Sequence, residues 1–151
     1  EILNKNISVG IKNKKYFINK YLFPKPCKLG PKVSKFSSSI KDISDGLIGD
    51  LSKMLDNNFG ALINLNNIPL TPKVKKIING NTDISFENIL NGGDDYCLII
   101  ISKCQNRRII ENIAKKNKTK INLIGKIISK KGIYFDSNIN INNFKEYDHF
   151  S

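Results

Sequence analysis

Two turns in this chain carry paired acids. In Asp42-Ile43-Ser44-Asp45-Gly46, two carboxylates and a hydroxyl crowd a point where a strand-like pattern gives way to a helical one. Residues two apart on a strand share a side, so Asp42 and Ser44 face one way, and Asp45 then opens the helix. Carboxylate oxygens suit a hard cation such as Mg2+. A helix N-terminus offers N–H groups and the positive end of a dipole to a phosphate. The competing reading is an N-cap at Ser44 or Asp45, which accounts for one polar residue and leaves Asp42 without a role. The second turn is Asn91-Gly92-Gly93-Asp94-Asp95-Tyr96. Its glycines allow close backbone approach, and adjacent acids repel unless a cation or donor lies near. A plain helix-to-strand turn is the alternative. Near the end, Tyr147, His149 and Phe150 sit close together, either packing the terminus or offering a ring to stack on a planar ligand.

The elements that must position these residues follow from periodicity. Phe36–Ser44 reads as a strand, and Leu47, Ile48, Leu51, Met54 and Leu55 then fall on one face of a helix ended by Asn57, Asn58 and Gly60. Ala61–Ile68 alternates as a strand, and Thr71-Pro72 starts a helix that runs to about Ile78. A short helix lies within Thr82–Gly93. Tyr96–Ser102 is a continuous apolar run, expected to be a central strand. Gln105–Lys118 is a helix with Ile109, Ile110 and Ile113 inward, and Lys120–Ser129 with Gly132–Ser137 predicts a hairpin. Tyr21–Pro31, with three prolines and a glycine, is an extended connector. The order predicts an α+β fold, a mixed β-sheet with helices on one face, preceded by a leading helix and connector over residues 1–30, with the main body at 31–151.

Composition narrows the function. The 151 residues suffice for one domain with a core. The net charge of +12 comes almost wholly from Lys, which rises together with Asn and Ile as in an AT-biased genome. A solvated Lys-rich surface is therefore the expected reading of this charge, rather than a nucleic-acid surface. Three cysteines, an odd number without CxxC spacing, argue against a disulfide framework and for a reducing, cytoplasmic setting. A single histidine leaves no inventory for a His-based metal site or a Ser-His-Asp triad. Neither a P-loop nor a dinucleotide fingerprint is present. The start has no signal-peptide pattern, and no apolar run is long enough for a membrane span. The chain begins at Glu1 rather than Met, as a piece of something longer would.

Taken in order, Asp42–Leu47 (DISDGL), Asn91–Tyr96 (NGGDDY), Leu123–Ile127 (LIGKI) and Tyr147–Phe150 (YDHF), together with the proline-rich YLFPKPCKLG, resemble the C-terminal half of thiamine-monophosphate kinase. The domain is shared with aminoimidazole ribonucleotide synthetase, selenophosphate synthetase and a hydrogenase-maturation dehydratase, so the resemblance implies that fold. It also implies transfer of the γ-phosphate of ATP to thiamine monophosphate, with Mg2+. Matched motif to motif, Asp42 and Asp45 are similar to metal ligands, Ser44 to an ATP contact, and Asp94 and Tyr147 to substrate contacts. No residue of the chain is implied as a general base. Cys97 stands where the family usually has Glu. The family's N-terminal half, with further metal ligands, most of the nucleotide site and a homodimer contact, is not in this chain, so the fragment alone is expected to be inactive. Two other readings are a non-catalytic module that binds a phosphorylated metabolite and another ATP-dependent member of the superfamily.

Overall fold

The change of period at residue 45 is realised as a strand followed by a helix. The computed structural model describes residues 11–80, 86–93 and 96–136. The elements are α1 (Ile11–Leu22), α2 (Gly30–Val33), β1 (Ser39–Asp42), α3 (Leu47–Met54), β2 (Gly60–Ile63), α4 (Pro72–Gly80), α5 (Phe86–Leu90), β3 (Leu98–Ile101), α6 (Arg107–Lys116), β4 (Gly125–Ile128) and β5 (Gly132–Phe135). The α+β class and the mixed sheet are as the sequence implies. Among the described residues, however, the strands form two sheets: β1 with β3, and β4-β2-β5.

The β1–β3 ladder is antiparallel, from Ser39 opposite Ile101 to Asp42 opposite Leu98. Successive β3 side chains point to opposite faces, and each face meets a different core. Ile99 and Ile101 join Leu47, Ile48, Leu51, Ala61, Ile63, Leu65 and Leu90. Leu98 and Ile100, with Ile40 of β1, join Leu29, Val33, Ile110 and Ala114. The apolar run at β3 is therefore explained by helices on both faces. The expected central position is not seen: among the described residues β3 has one strand neighbour. Burying a side chain such as Val33 or Leu90 contributes about 1.5–3 kcal/mol. The β1–β3 ladder is thus held from both sides.

The hairpin expected from residues 120–137 does not form. β4 runs antiparallel to β2 and β5 parallel to it, so β2 lies between the two strands that follow each other in sequence. Apolar alternation marks a strand but not its neighbour, which is why sequence reasoning paired β4 with β5. Gly60 makes the crossing possible: a Cβ there would lie 2.0 Å from the Lys130 carbonyl oxygen and 2.2 Å from that of Gly132. α3 bridges the two sheets by touching both β1 and β5.

The remaining helices refine the sequence reading. α4 begins as expected, with Thr71 Oγ1 accepting the Val74 N–H at 3.3 Å. α6 buries Ile110 and Ala114 but leaves Ile109 44% exposed. At 100° per residue the stripe through residues 110, 113 and 114 leaves residue 109 at its margin. Asn106, just before α6, donates to the Phe36 carbonyl at 2.9 Å and ties that helix to the segment ahead of β1. Among the described residues no helix is long and apolar enough to cross a membrane.

Candidate functional site

β1 delivers Asp42 to the end of the ladder, and Ile43 continues the pairing by donating its N–H to the Cys97 carbonyl at 3.0 Å. The chain then turns through Ser44 and Asp45 to Gly46, whose φ of +96° lies in the region open to glycine. A side chain at Gly46 would also collide with the Asn91 backbone, 2.8 Å away. Gly93 approaches from the other loop, and a Cβ there would come within 1.9 Å of the Ser44 carbonyl oxygen. The two turns singled out from sequence are therefore pressed together backbone to backbone. Glycines at 46 and 93 are what permit it.

Beside this junction is a cleft of about 230 Å³, lined by Pro26, Cys27, Asp42, Ile43, Ser44, Tyr96 and Leu98. Asp42 and Ser44 share it, as their strand spacing predicts. The proline-rich connector forms one wall, tied by the Cys27 N–H donating to the Tyr96 carbonyl at 3.3 Å. Tyr96 adopts φ +53°, a conformation uncommon for a non-glycine residue and enriched at functional sites. Asp45 does not line the cleft. Its Oδ2 is 2.6 Å from Lys53 Nζ, two turns along α3. Cys97 is exposed just ahead of β3. Asp94, Tyr147 and His149 lie outside the described residues.

The turn has a buried anchor that sequence reasoning missed. Asp50 is 0% exposed, and its Oδ2 accepts the N–H groups of Ser44 (2.7 Å) and Asp45 (2.8 Å). Its Oδ1 makes no hydrogen bond but faces Lys41 Nζ at 3.3 Å. This overturns the N-cap reading. The N-cap residue of α3 is Gly46, without a side-chain cap bond, and the acid that ties the turn reaches back from inside the helix. It also means that the N–H groups of Ser44 and Asp45 are turned onto Asp50 rather than toward a phosphate. The available signal was an acid on the otherwise apolar stripe of Leu47, Ile48 and Leu51.

In donor chemistry the site fits a hard cation. Asp42, Ser44 and Asp45 offer oxygens only, and Mg2+ is commonly held by one or two carboxylates together with substrate phosphates. Among the described residues no cluster of three or more acidic, His or Cys side chains could hold a metal alone.

No family model matches the chain. Among solved structures it superposes on thiamine-monophosphate kinase from Stenotrophomonas maltophilia K279a with a TM-score of 0.71 and 22% identity, over 86% of this chain and 41% of that one. A second match is AaThiL complexed with AMPPCP and TMP, with a TM-score of 0.69 and 19% identity, over 89% of this chain and 42% of that one. The chain thus shares the fold of the matching part of these two structures. In sequence it is 37% identical over 131 residues to the thiamine-monophosphate kinase of Buchnera aphidicola subsp. Acyrthosiphon pisum (strain APS), covering 83% of this chain. The chain belongs to the thiamine-monophosphate kinase family. It spans only 36% and 43% of the lengths of the two curated relatives it matches.

Proposed function

We propose that this chain is the C-terminal part of a cytoplasmic enzyme that transfers the γ-phosphate of ATP to thiamine monophosphate, giving thiamine diphosphate. The observation that carries this reading is the joining of the two acidic turns, with Gly93 against Ser44 and with Asp42 and Ser44 on one cleft. The names of the relatives and the AMPPCP and TMP bound to AaThiL support it.

In this reading Asp42 and Asp45 would hold Mg2+, Ser44 would contact ATP, and Asp94 and Tyr147 would contact thiamine monophosphate. When bound, Mg2+ neutralises charge on the phosphates that must meet. The protein's own task is alignment. A phosphate monoester, with a second pKa of about 6, is largely dianionic at neutral pH, so no general base is required and none is assigned. Asp42 is exposed at the mouth of the cleft, whereas Asp45 would have to leave its Lys53 partner to hold a cation.

We assign the remaining metal ligands, most of the nucleotide site and the homodimer contact to an N-terminal segment outside this chain. Residues 1–30 serve as the link and residues 31–151 as the C-terminal body. The exposure of Tyr21 (64%), Leu22 (56%) and Phe23 (71%) at the end of α1 favours a covering segment. The test is a coupled assay with ATP, Mg2+ and thiamine monophosphate on this chain and on the complete gene product. Turnover is expected from the complete protein only. Turnover by the chain alone refutes the division of labour, and none from the complete protein refutes the kinase reading.

A further inference from the structure

Asp50 is the most deeply buried polar side chain among the described residues, and the phosphate-transfer reading gives it no role. Burying a carboxylate is costly unless it is paired and hydrogen-bonded. A neutral cap at the start of α3 would close the helix without that cost. What the buried acid does here is specific. It gathers two consecutive backbone N–H groups, those of Ser44 and Asp45, onto one oxygen, while Lys41 on β1 balances the charge from the strand that carries Asp42. The same carboxylate thereby fixes the peptide planes on either side of Ser44 and ties them to the strand.

The geometry points to Asp50 as a positioning residue for the site: by holding the Ser44–Asp45 turn it sets where the Ser44 hydroxyl lies beside the Asp42 carboxylate in the cleft, and where the Asp45 side chain leaves the turn, for a divalent cation and phosphate. This rests on the functional reading above, but its test does not require turnover. Groups that orient metal ligands at one remove change metal affinity by about 10- to 100-fold when replaced, and a lost turn anchor belongs at the lower end.

The experiment uses the complete protein with Asp50→Asn, and Leu65→Ala as a core-destabilised control, at a temperature where thermal unfolding shows all forms folded. Amide hydrogen exchange at Ser44 and Asp45 is followed, and Mn2+ is titrated in the presence of AMPPCP by its paramagnetic signal. In D50N the two amides should exchange at least about tenfold faster and half-saturation by Mn2+ should rise about tenfold, with neither change in L65A. An unchanged Mn2+ midpoint in folded D50N, an equal shift in L65A, or no Mn2+ binding by the parent overturns the proposal. If D50N does not fold, Lys41→Met decides. A rise of about threefold, below the range for direct orienting groups, upholds the proposal, and an unchanged midpoint overturns it. A parent that binds Mn2+ and AMPPCP but leaves thiamine monophosphate unphosphorylated defeats the kinase reading and leaves the Asp50 result standing.

Discussion

Gly93 and Gly60 each lie where another segment passes too close for any side chain, yet the two crowdings do different work. At Gly93 the intruding atom is the Ser44 carbonyl oxygen, 1.9 Å from where a Cβ would sit, and the approach joins the two acidic turns beside the cleft. At Gly60 it is the Lys130 carbonyl oxygen, at 2.0 Å, where the chain passes from β4 to β5 around the end of β2. The first crowding builds a site and the second builds a topology. The site belongs to the ladder held between two cores, where a displaced turn has little room to be absorbed.

The largest effect that sharpens this contrast is expected from a side chain at the crowded junction, not from the crowding itself. Asp42 is exposed, so Asp42→Ala in the complete protein should leave the unfolding midpoint unchanged and lower kcat by about 10²-fold or more, the loss of several kcal/mol of charge stabilisation. An unchanged kcat would remove it from the site. The glycines come next. Ala at either position overfills its contact, which costs about 1–3 kcal/mol in denaturant melts. The two should part in activity. Gly93→Ala is expected to cut kcat/KM by about tenfold in the folded protein, since it pushes Ser44 away, whereas folded Gly60→Ala should keep it. Equal losses would break the comparison.

These contrasts also mark what could be read from the sequence. The α3 stripe, the Thr71 start of α4 and the apolar β3 run were legible because a period states which face of an element is buried. Which strand neighbours which is not stated by any period, and so β2 between β4 and β5 escaped notice. The sharing of a cleft by Asp42 and Ser44 followed from strand spacing. The contact of the two turns did not, because glycines report that backbone approaches without naming what approaches. Asp50 was missed for a related reason: an acid on an apolar stripe looks like an interruption until its partners, 5, 6 and 9 residues back along the chain, are seen around it.

Lys53 offers a smaller effect of opposite sign. Its ammonium sits on Asp45 Oδ2, with the Lys53 side chain 58% and the Asp45 side chain 26% exposed, so the pair is open to water mainly on the lysine side. Such pairs contribute about 1 kcal/mol or less to stability. Lys53→Met should therefore barely shift the melt. It should tighten Mn2+ binding about two- to fivefold, the equivalent of about 0.4–1 kcal/mol of competition removed. Weaker binding would mean that Lys53 supports the cation site rather than competing for it.

The smallest effect is expected on the sheet that carries no part of the site. Ile127 lies on β4, an outer strand of the β4-β2-β5 sheet, and is 39% exposed. It is opposite Ala61, which is almost completely buried on β2. A strand residue with one side in water keeps most of its worth in backbone pairing, and that pairing survives a change of side chain. Ile127→Ser should consequently cost this chain about 0.5 kcal/mol or less, the usual range for surface substitutions, with no change in the exchange of the Ser44 and Asp45 amides. A larger loss would show that the outer strand β4 is as tightly packed as its buried neighbour β2. In that case the contrast between a ladder covered on both faces and an outer strand with one side in water would fail.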